Sequence, residues 1–271
     1  MNDTTMASTS PGAPQSSSPA SAAECPNCHA PVEDPWCSKC GQKQSDLDPT
    51  WHDLLHETLH EFLHLDSKIF RTARKLFLEP GELTAEFLRG RRARYIGALR
   101  LYLTFSVLFF VLTALVPNPN PDTEDNNAPA AASELATERV VTQTFEKVLP
   151  KLVFILVPVF ALLLKLAHRG QRRNYPQFLY FSLYFHAAVF GFLALVAPLQ
   201  ALQSEAWLHA AQVCVLAGAF VYLAAAIKRV FGGSAPIVLV RASAVAVGHL
   251  AVLTTTTAAV ILALLRWASS H

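Results

Sequence analysis

The sequence predicts an all-α membrane protein with about five transmembrane helices and a small N-terminal four-cysteine module of the zinc-ribbon type. The first observation is five strongly apolar stretches, each close to the roughly 20 residues that a helix needs to cross a hydrocarbon core of about 30 Å. The second is a pair of Cys-x2-Cys motifs that precedes them. The apolar stretches cover residues 97–116, 150–167, 178–200, 207–227 and 243–265.

The composition argues against an ordinary soluble domain. Hydrophobic residues make up 52% of the 271 residues and charged residues only 15%, whereas soluble domains average about 25% charged residues. From residue 150 to the C-terminus, Glu205 is the single acidic residue. Inside lipid a helix satisfies its own backbone groups. The apolar stretches are therefore expected to be helical and to form a transmembrane region over residues 97–267.

The Lys and Arg residues near the ends of the spans predict the orientation, because short cytoplasmic loops are enriched in them. Twelve of these residues lie on one side of a five-span arrangement, and four lie on the other side among seven acids. The prediction is an N-terminus in the cytoplasm and a C-terminus outside. The twelve are Arg89, Arg91, Arg92, Arg94, Arg100, Lys165, Arg169, Arg172, Arg173, Lys228, Arg229 and Arg241.

Two segments are predicted to contain disordered or linker sequence. Residues 1–23 are rich in Ser, Pro, Ala and Thr and are expected to be a disordered tail. They show neither the basic start nor the apolar core of a signal peptide. Residues 117–149 form the main exterior loop, and their PNPNPDTEDNNAP run has the composition of a linker.

Four cysteines within residues 25–44 predict a structural zinc module. Two Cys-x2-Cys pairs are separated by eight residues, and four thiolates suit tetrahedral Zn²⁺ with Zn–S distances near 2.3 Å. The segment is too short for a hydrophobic core, so binding of one Zn²⁺ per chain would supply its folding free energy. Two disulfides are the alternative, which a reducing cytosol disfavours. The ligands would be Cys25, Cys28, Cys37 and Cys40.

Residues 50–95 are predicted to form amphipathic juxtamembrane helices, and the first, over 50–78, carries a histidine at every fourth position. Residues four apart lie on adjacent turns of one helix face. Two such imidazoles could share a second metal ion, or the row could sense pH. The alternative is that histidines only fill the border between the apolar and acidic faces. The row is His52, His56, His60 and His64, and the apolar face contains Leu54, Leu55, Leu59, Phe62, Leu63, Ile69 and Phe70.

A basic, aromatic segment follows the helix break at Pro80-Gly81 and precedes the first span. A basic residue near an anionic membrane surface contributes about 1 kcal/mol of attraction, so this segment is predicted to contact anionic lipid headgroups. It is either a plain positive-inside anchor or a dedicated site for a lipid or another anionic ligand. Its residues are Arg89, Arg91, Arg92, Arg94 and Tyr95.

Three histidines lie inside predicted spans. Ionisable residues at membrane depth are functional candidates by default, and His186 in the third span and His249 in the fifth meet that condition. His209, at the start of the fourth span, is a further candidate. The alternative is that these imidazoles are neutral and form hydrogen bonds with neighbouring helices.

Three motifs follow one another between residues 25 and 116. They are a four-cysteine knuckle ending in CGQ, the segment HEFLHLDSKIFRT, and the segment LEPGELTAEFLRGRRARYIGALRLYLTFS. In this order they resemble the uncharacterised bacterial membrane-protein family called domain of unknown function 3667. The resemblance implies the same architecture and a place in a bacterial cytoplasmic (inner) membrane. It implies no mechanism, because the family has no established activity.

Three classes of function are compatible with this architecture. The favoured class is a non-catalytic membrane scaffold or regulator whose zinc module binds a cytosolic protein partner. The second is an oligomeric transporter or channel, and the third is a membrane enzyme acting on lipid, for which the scattered histidines offer the polar groups. No catalytic residue is assigned. The basic segment has no recognisable nucleic-acid-binding fold, so nucleic acid is not an expected partner.

Overall fold

The computed structural model describes residues 23–43, 68–115, 154–202 and 205–269. The chain divides into two units, Met1–Ser45 and Asp46–His271. Three predictions stay untested because they fall outside the described residues. They are the disordered tail up to residue 22, the exterior loop at 117–149, and the row of His52, His56, His60 and His64.

Residues 23–43, the described part of the small unit, form a pair of tight turns with almost no apolar interior. Strands β1 (Ala23–Glu24) and β2 (Pro31–Val32) pair antiparallel around the first turn. A single bridge between Trp36 and Lys43 closes the second turn. So few buried side chains cannot offset the conformational entropy lost when the segment is ordered. The buried apolar residues are Cys25, Val32 and Cys37.

The larger unit is helical. Among the residues that the structure describes, four helices are long and apolar enough to cross a membrane, and a shorter apolar helix covers Phe154–Ala167. The predicted all-α membrane fold with an N-terminal four-cysteine cluster is therefore confirmed. The helices are α1 (Lys68–Leu78), α2 (Glu82–Leu88), α3 (Ala98–Leu115), α4 (Phe154–Ala167), α5 (Tyr175–Val196), α6 (Glu205–Phe231) and α7 (Ala235–Ser269), and a 3₁₀ turn at Ala197–Leu202 follows α5.

Several helices extend beyond the apolar stretches that predicted them. The length of an apolar stretch predicts which residues lie in the hydrocarbon core, but it does not predict where the helix begins and ends. Helix α7 has 35 residues, a length of about 52 Å. It therefore includes Arg241, which the prediction placed in the connection before residue 243. The described part of α4 is about 21 Å long, shorter than a hydrocarbon core.

Helix α5 lies at the centre of the membrane helices. In the most apolar stretch of α5, 72% of the residues are buried, whereas the corresponding shares are 22% for α3, 22% for α6 and 17% for α7. Helix α3 packs along α5, and the Tyr102 ring lies edge-on to Phe190 with 5.8 Å between centroids. The outer faces of α6 and α7 are apolar and exposed, which is the pattern of helices that face lipid.

The turn between α1 and α2 is held against α6. Gly81 has a φ of +78°, and a Cβ at this position would lie 2.8 Å from the Cα of Ala226. Nearby, the Tyr222 hydroxyl donates to the Leu76 carbonyl oxygen at 2.7 Å. Phe70 does not join the buried face of α1, because it is 84% exposed. These contacts attach the juxtamembrane helices to the transmembrane region.

Candidate functional site

The four cysteines are presented by two backbone turns of the same design. In the first, the His29 amide donates to the Cys25 carbonyl at 2.9 Å, and in the second the Gly41 amide donates to the Cys37 carbonyl at 2.8 Å. His29 and Gly41 also share a positive φ, +59° and +70°. Because both turns close in the same way, each directs two thiols toward a common point. The thiols of Cys25, Cys28, Cys37 and Cys40 are therefore preorganised by the backbone.

The sulfur positions fit a metal ion and do not fit disulfides. The four Sγ atoms all lie within 4.8 Å of one another. The Cys25–Cys40 and Cys28–Cys37 sulfurs are 3.6 and 3.5 Å apart, whereas a disulfide needs about 2.05 Å. A tetrahedral ion with metal–sulfur bonds of about 2.3 Å places its sulfurs about 3.8 Å apart. The cluster can therefore bind a metal ion.

The electrostatics of the cluster favour a cation. Burial alone would raise the pKa of Cys25, but amide hydrogen bonds from Cys28 and Asn27 lower it to about 6. The pKa of Cys37 is also lowered, chiefly by the Cys40 amide. The amide of Ala30 favours the Cys28 thiolate, yet burial and the three neighbouring sulfurs raise that pKa to about 12. Because burial and the neighbouring sulfurs disfavour the Cys28 thiolate, a bound cation would be needed to stabilise it.

A second polar centre lies at the start of the transmembrane region, and we call it the juxtamembrane ionic cluster. Glu86 is only 3% exposed and accepts from Arg89 at 2.9 Å and from Arg91 at 3.2 Å. Glu82 pairs with Arg89 at 3.2 Å and with Arg229 of α6 at 3.5 Å. Burial alone would raise the pKa of Glu86, but the Arg89 and Arg91 guanidinium groups lower it. The cluster comprises Lys75, Glu82, Glu86, Arg89, Arg91, Tyr95 and Arg229.

This cluster changes the picture of the predicted lipid-contacting segment. The guanidinium groups of Arg89 and Arg91 are paired with carboxylates, and that of Arg92 lies 4.5 Å from the centre of the Phe87 ring. Tyr95 is buried and accepts a hydrogen bond from Lys75 at 3.0 Å. Of the five residues, Arg89 and Arg94 are exposed. The segment therefore makes intramolecular contacts that counting basic residues did not anticipate.

The loop between α4 and α5 contains a buried histidine that was not among the predicted site residues, and near it Arg173, which was counted only for the orientation. His168 is 1% exposed, and its Nδ1 lies 2.9 Å from the Leu164 carbonyl oxygen. Burial lowers the pKa of His168, and the charges of Arg241 and Arg173 lower it further. Arg173 donates to the Val230 carbonyl at 3.1 Å. A basic residue facing the carboxyl end of α6 is favoured by the helix dipole, which is the one signal that could have predicted the contact.

The structure brings two of the predicted intramembrane histidines together. The rings of His186 and His249 have centroids 5.4 Å apart. Phe160 of α4 lies against both, at 5.0 Å from each. His209 is exposed on α6, as is Cys214. His186 and His249 therefore form a pair, and His209 belongs to a different surface.

A comparison with protein families gives a match to the family described as "Protein of unknown function (DUF3667)", over residues 66–110. This segment contains α1, α2, most of α3 and every member of the juxtamembrane ionic cluster except Arg229. Comparisons with curated proteins and with solved structures give no match. The resemblance predicted from the motifs is thus confirmed for this segment: over residues 66–110 the chain is similar to the DUF3667 family of unknown function.

Proposed function

We propose that the protein is a non-catalytic scaffold or regulator of the bacterial cytoplasmic (inner) membrane, with its N-terminal module in the cytoplasm. In this proposal Cys25, Cys28, Cys37 and Cys40 bind one structural Zn²⁺, and the module binds a cytosolic protein. The observation that carries the proposal is the closed four-sulfur arrangement. Four thiolates complete a tetrahedral sphere and leave no position for a substrate or a water.

The exposed surface of the module supports a role in protein binding. Trp36 is 57% exposed and directly precedes the ligand Cys37. Tryptophan is among the residues that contribute most to protein–protein interfaces. Because its neighbour is bound to the metal and its backbone is bridged to Lys43, the position of Trp36 depends on the metal. A structural metal ion would therefore be required for partner binding, because it fixes the position of Trp36.

Contacts among the basic connections support the proposed orientation. Glu82 beside the first span binds Arg229 at the end of α6, and Arg173 before α5 donates to Val230. The connections that charge counting placed on one side therefore meet at one end of the helices. The positive-inside tendency supports a cytoplasmic location for this end. Arg94, which is exposed there, is available to anionic lipids.

Photo-cross-linking in the native bacterial host tests the proposal. An aromatic photoreactive amino acid replaces Trp36 in the full-length protein, and the same amino acid at the exposed Phe70 of α1 serves as the matched position. We expect one adduct of defined mass from position 36 that position 70 does not give and that Cys28→Ser abolishes. No adduct from position 36, or one that persists unchanged in Cys28→Ser, would contradict a metal-dependent docking surface.

An oligomeric transporter or channel is the second candidate, and the His186–His249 pair is the observation that favours it. Polar groups at membrane depth mark ion or substrate pathways in many membrane proteins. Purified protein in liposomes would then carry a flux of protons or divalent metal ions that His249→Gln abolishes. Absence of flux in active, correctly oriented preparations would leave the scaffold as the better-supported function.

A further inference from the structure

His186 and His249 have the spacing of two imidazoles that share one metal ion. Their ring centroids are 5.4 Å apart and their planes are inclined by 74°. When two imidazole nitrogens bind one tetrahedral ion at about 2.0–2.1 Å, the ring centroids are about 5.2 Å apart. The observed separation is close to this value, although the two residues belong to different helices, α5 and α7.

The hydrogen bonding of His186 leaves one ring nitrogen available as a ligand. Its Nδ1 lies 2.8 Å from the Ser182 carbonyl oxygen, and a carbonyl only accepts, so Nδ1 carries the proton. The Ser182 hydroxyl donates elsewhere, to the Val157 carbonyl at 2.8 Å. In the neutral ring Nε2 therefore keeps its lone pair. A backbone carbonyl that fixes the tautomer in this way is the usual support of a metal-binding histidine.

The second imidazole has an unsatisfied nitrogen. The Nδ1 of His249 is buried and has no hydrogen-bond partner among the described residues. Phe160 is placed edge-to-face against both imidazoles, with interplanar angles of 87°, and restricts how the rings can turn. A buried polar atom without a partner calls for an explanation in terms of a ligand, a water or an ion.

Both histidines lie near the middle of their spans. His186 is about 17 Å along α5 from Tyr175, and His249 is about 21 Å along α7 from Ala235. Measured from Arg241, the last basic residue before its apolar stretch, His249 is about 12 Å into a hydrocarbon core of about 30 Å, so both histidines lie within the core. Polar side chains are expensive at this depth and are found where they bind one another, an ion or a substrate.

We propose that His186, through Nε2, and His249 bind one first-row transition-metal ion within the transmembrane region. Imidazole suits zinc, copper, iron and nickel. Two protein ligands leave coordination positions open, so this site differs from the closed four-cysteine centre and can exchange its ion or bind a further ligand. The inference is independent of the proposed scaffold function, because it concerns different residues and a different unit of the chain.

Metal content of the full-length protein tests the site. The protein is purified in mild detergent with a tag that contains no histidine, equilibrated with Zn²⁺, freed of loosely bound ion, and measured by elemental analysis. We expect about two metal equivalents per chain in the wild type, since the four-cysteine centre holds one. His186→Gln and His249→Gln should each lose one equivalent. His209→Gln, a matched change on the exposed side of α6, should lose none.

Further measurements distinguish loss of the histidine-bound ion from loss of the four-cysteine centre or of the fold. Co²⁺-substituted protein should keep the thiolate charge-transfer bands in every histidine variant, which shows that the equivalent lost is not the one bound by the four cysteines. An unchanged Tm in detergent should show that the transmembrane region of each variant is folded. X-ray absorption of the wild-type protein should show a nitrogen-ligated metal in addition to the sulfur-ligated one. A wild type that takes up only the thiolate-bound ion would overturn the proposal. So would a second equivalent that survives in His186→Gln and disappears in the double variant His56→Gln/His60→Gln.

Discussion

Replacing Gly81 by alanine tests how tightly the juxtamembrane helices are attached to α6. At φ +78° an L-residue costs about 1–2 kcal/mol relative to glycine. The added Cβ would also lie 2.8 Å from the Ala226 Cα and 2.9 Å from its carbonyl oxygen. Ordinary carbon contacts are about 3.5–4.0 Å, so the two backbones must separate by about 0.7 Å. Such overpacking typically costs about 1–3 kcal/mol, and the combined loss of stability is about 2–5 kcal/mol.

Thermal unfolding in detergent, followed by size-exclusion chromatography of heated samples, measures this loss. For chains of this size a change of 1 kcal/mol shifts Tm by about 2–4 °C, so Gly81→Ala should lower Tm by about 4–20 °C. Gly218→Ala is the matched control, because a Cβ at Gly218 meets nothing within 4 Å and alanine is the better helix former. If Gly81→Ala melts at the same temperature as Gly218→Ala, the close approach of the two backbones is refuted.

Three other predictions concern the metal centre, the ionic cluster and the topology. The four-cysteine centre should hold about one zinc equivalent. Cys28→Ser should lose most of this zinc and leave the helices in the membrane. Full retention of zinc in the variant, measured by elemental analysis, would rule out the assignment. Glu86→Gln should lower the free energy of unfolding by about 1–3 kcal/mol at pH 7. Because the pKa of Glu86 is lowered in the folded protein, the difference in Tm between the variant and the wild type should shrink as the pH falls below about 4.5. A difference in Tm that does not depend on pH would disprove the charge pairing. A reporter active only in the cytoplasm should work when fused after Gln44 and fail after His271, and activity at both positions would indicate an even number of spans.

Local composition was enough to predict much of the fold. Apolar length predicted α3, α5, α6 and α7 because membrane thickness determines how many consecutive residues must be apolar. The cysteine spacing predicted the four-sulfur cluster because each pair is held by its own turn, through contacts within six residues of sequence such as Cys25 with Ala30. A positive φ at Gly41 could be expected because glycine adopts it readily, whereas the same conformation at His29 is not indicated by its residue type.

Contacts between distant residues could not be predicted in this way. The Tyr222 hydroxyl and the Leu76 carbonyl are 146 residues apart, and the approach of His249 to His186 depends on how α7 is placed beside α5. The pairing of Glu86 with Arg89 is a different case, because three-residue spacing on a helix was visible. A count of basic residues could not predict this pairing, because it ignored Glu82 and Glu86, which precede the arginines by one or two helical turns.

The central position of α5 has a consequence for how the protein is made. Helix α3 packs mainly on α5, and the last residue of α5 is synthesised about 80 residues after the end of α3. At about 5–20 residues per second the ribosome needs about 4–16 s to synthesise that length. During that interval Tyr102 and Ser106, which are 2% and 8% exposed in the folded protein, have no α5 to cover them. A chain that stops before residue 175 therefore presents an α3 that lacks its principal neighbour. Such incomplete chains are expected to be substrates of membrane quality-control proteases.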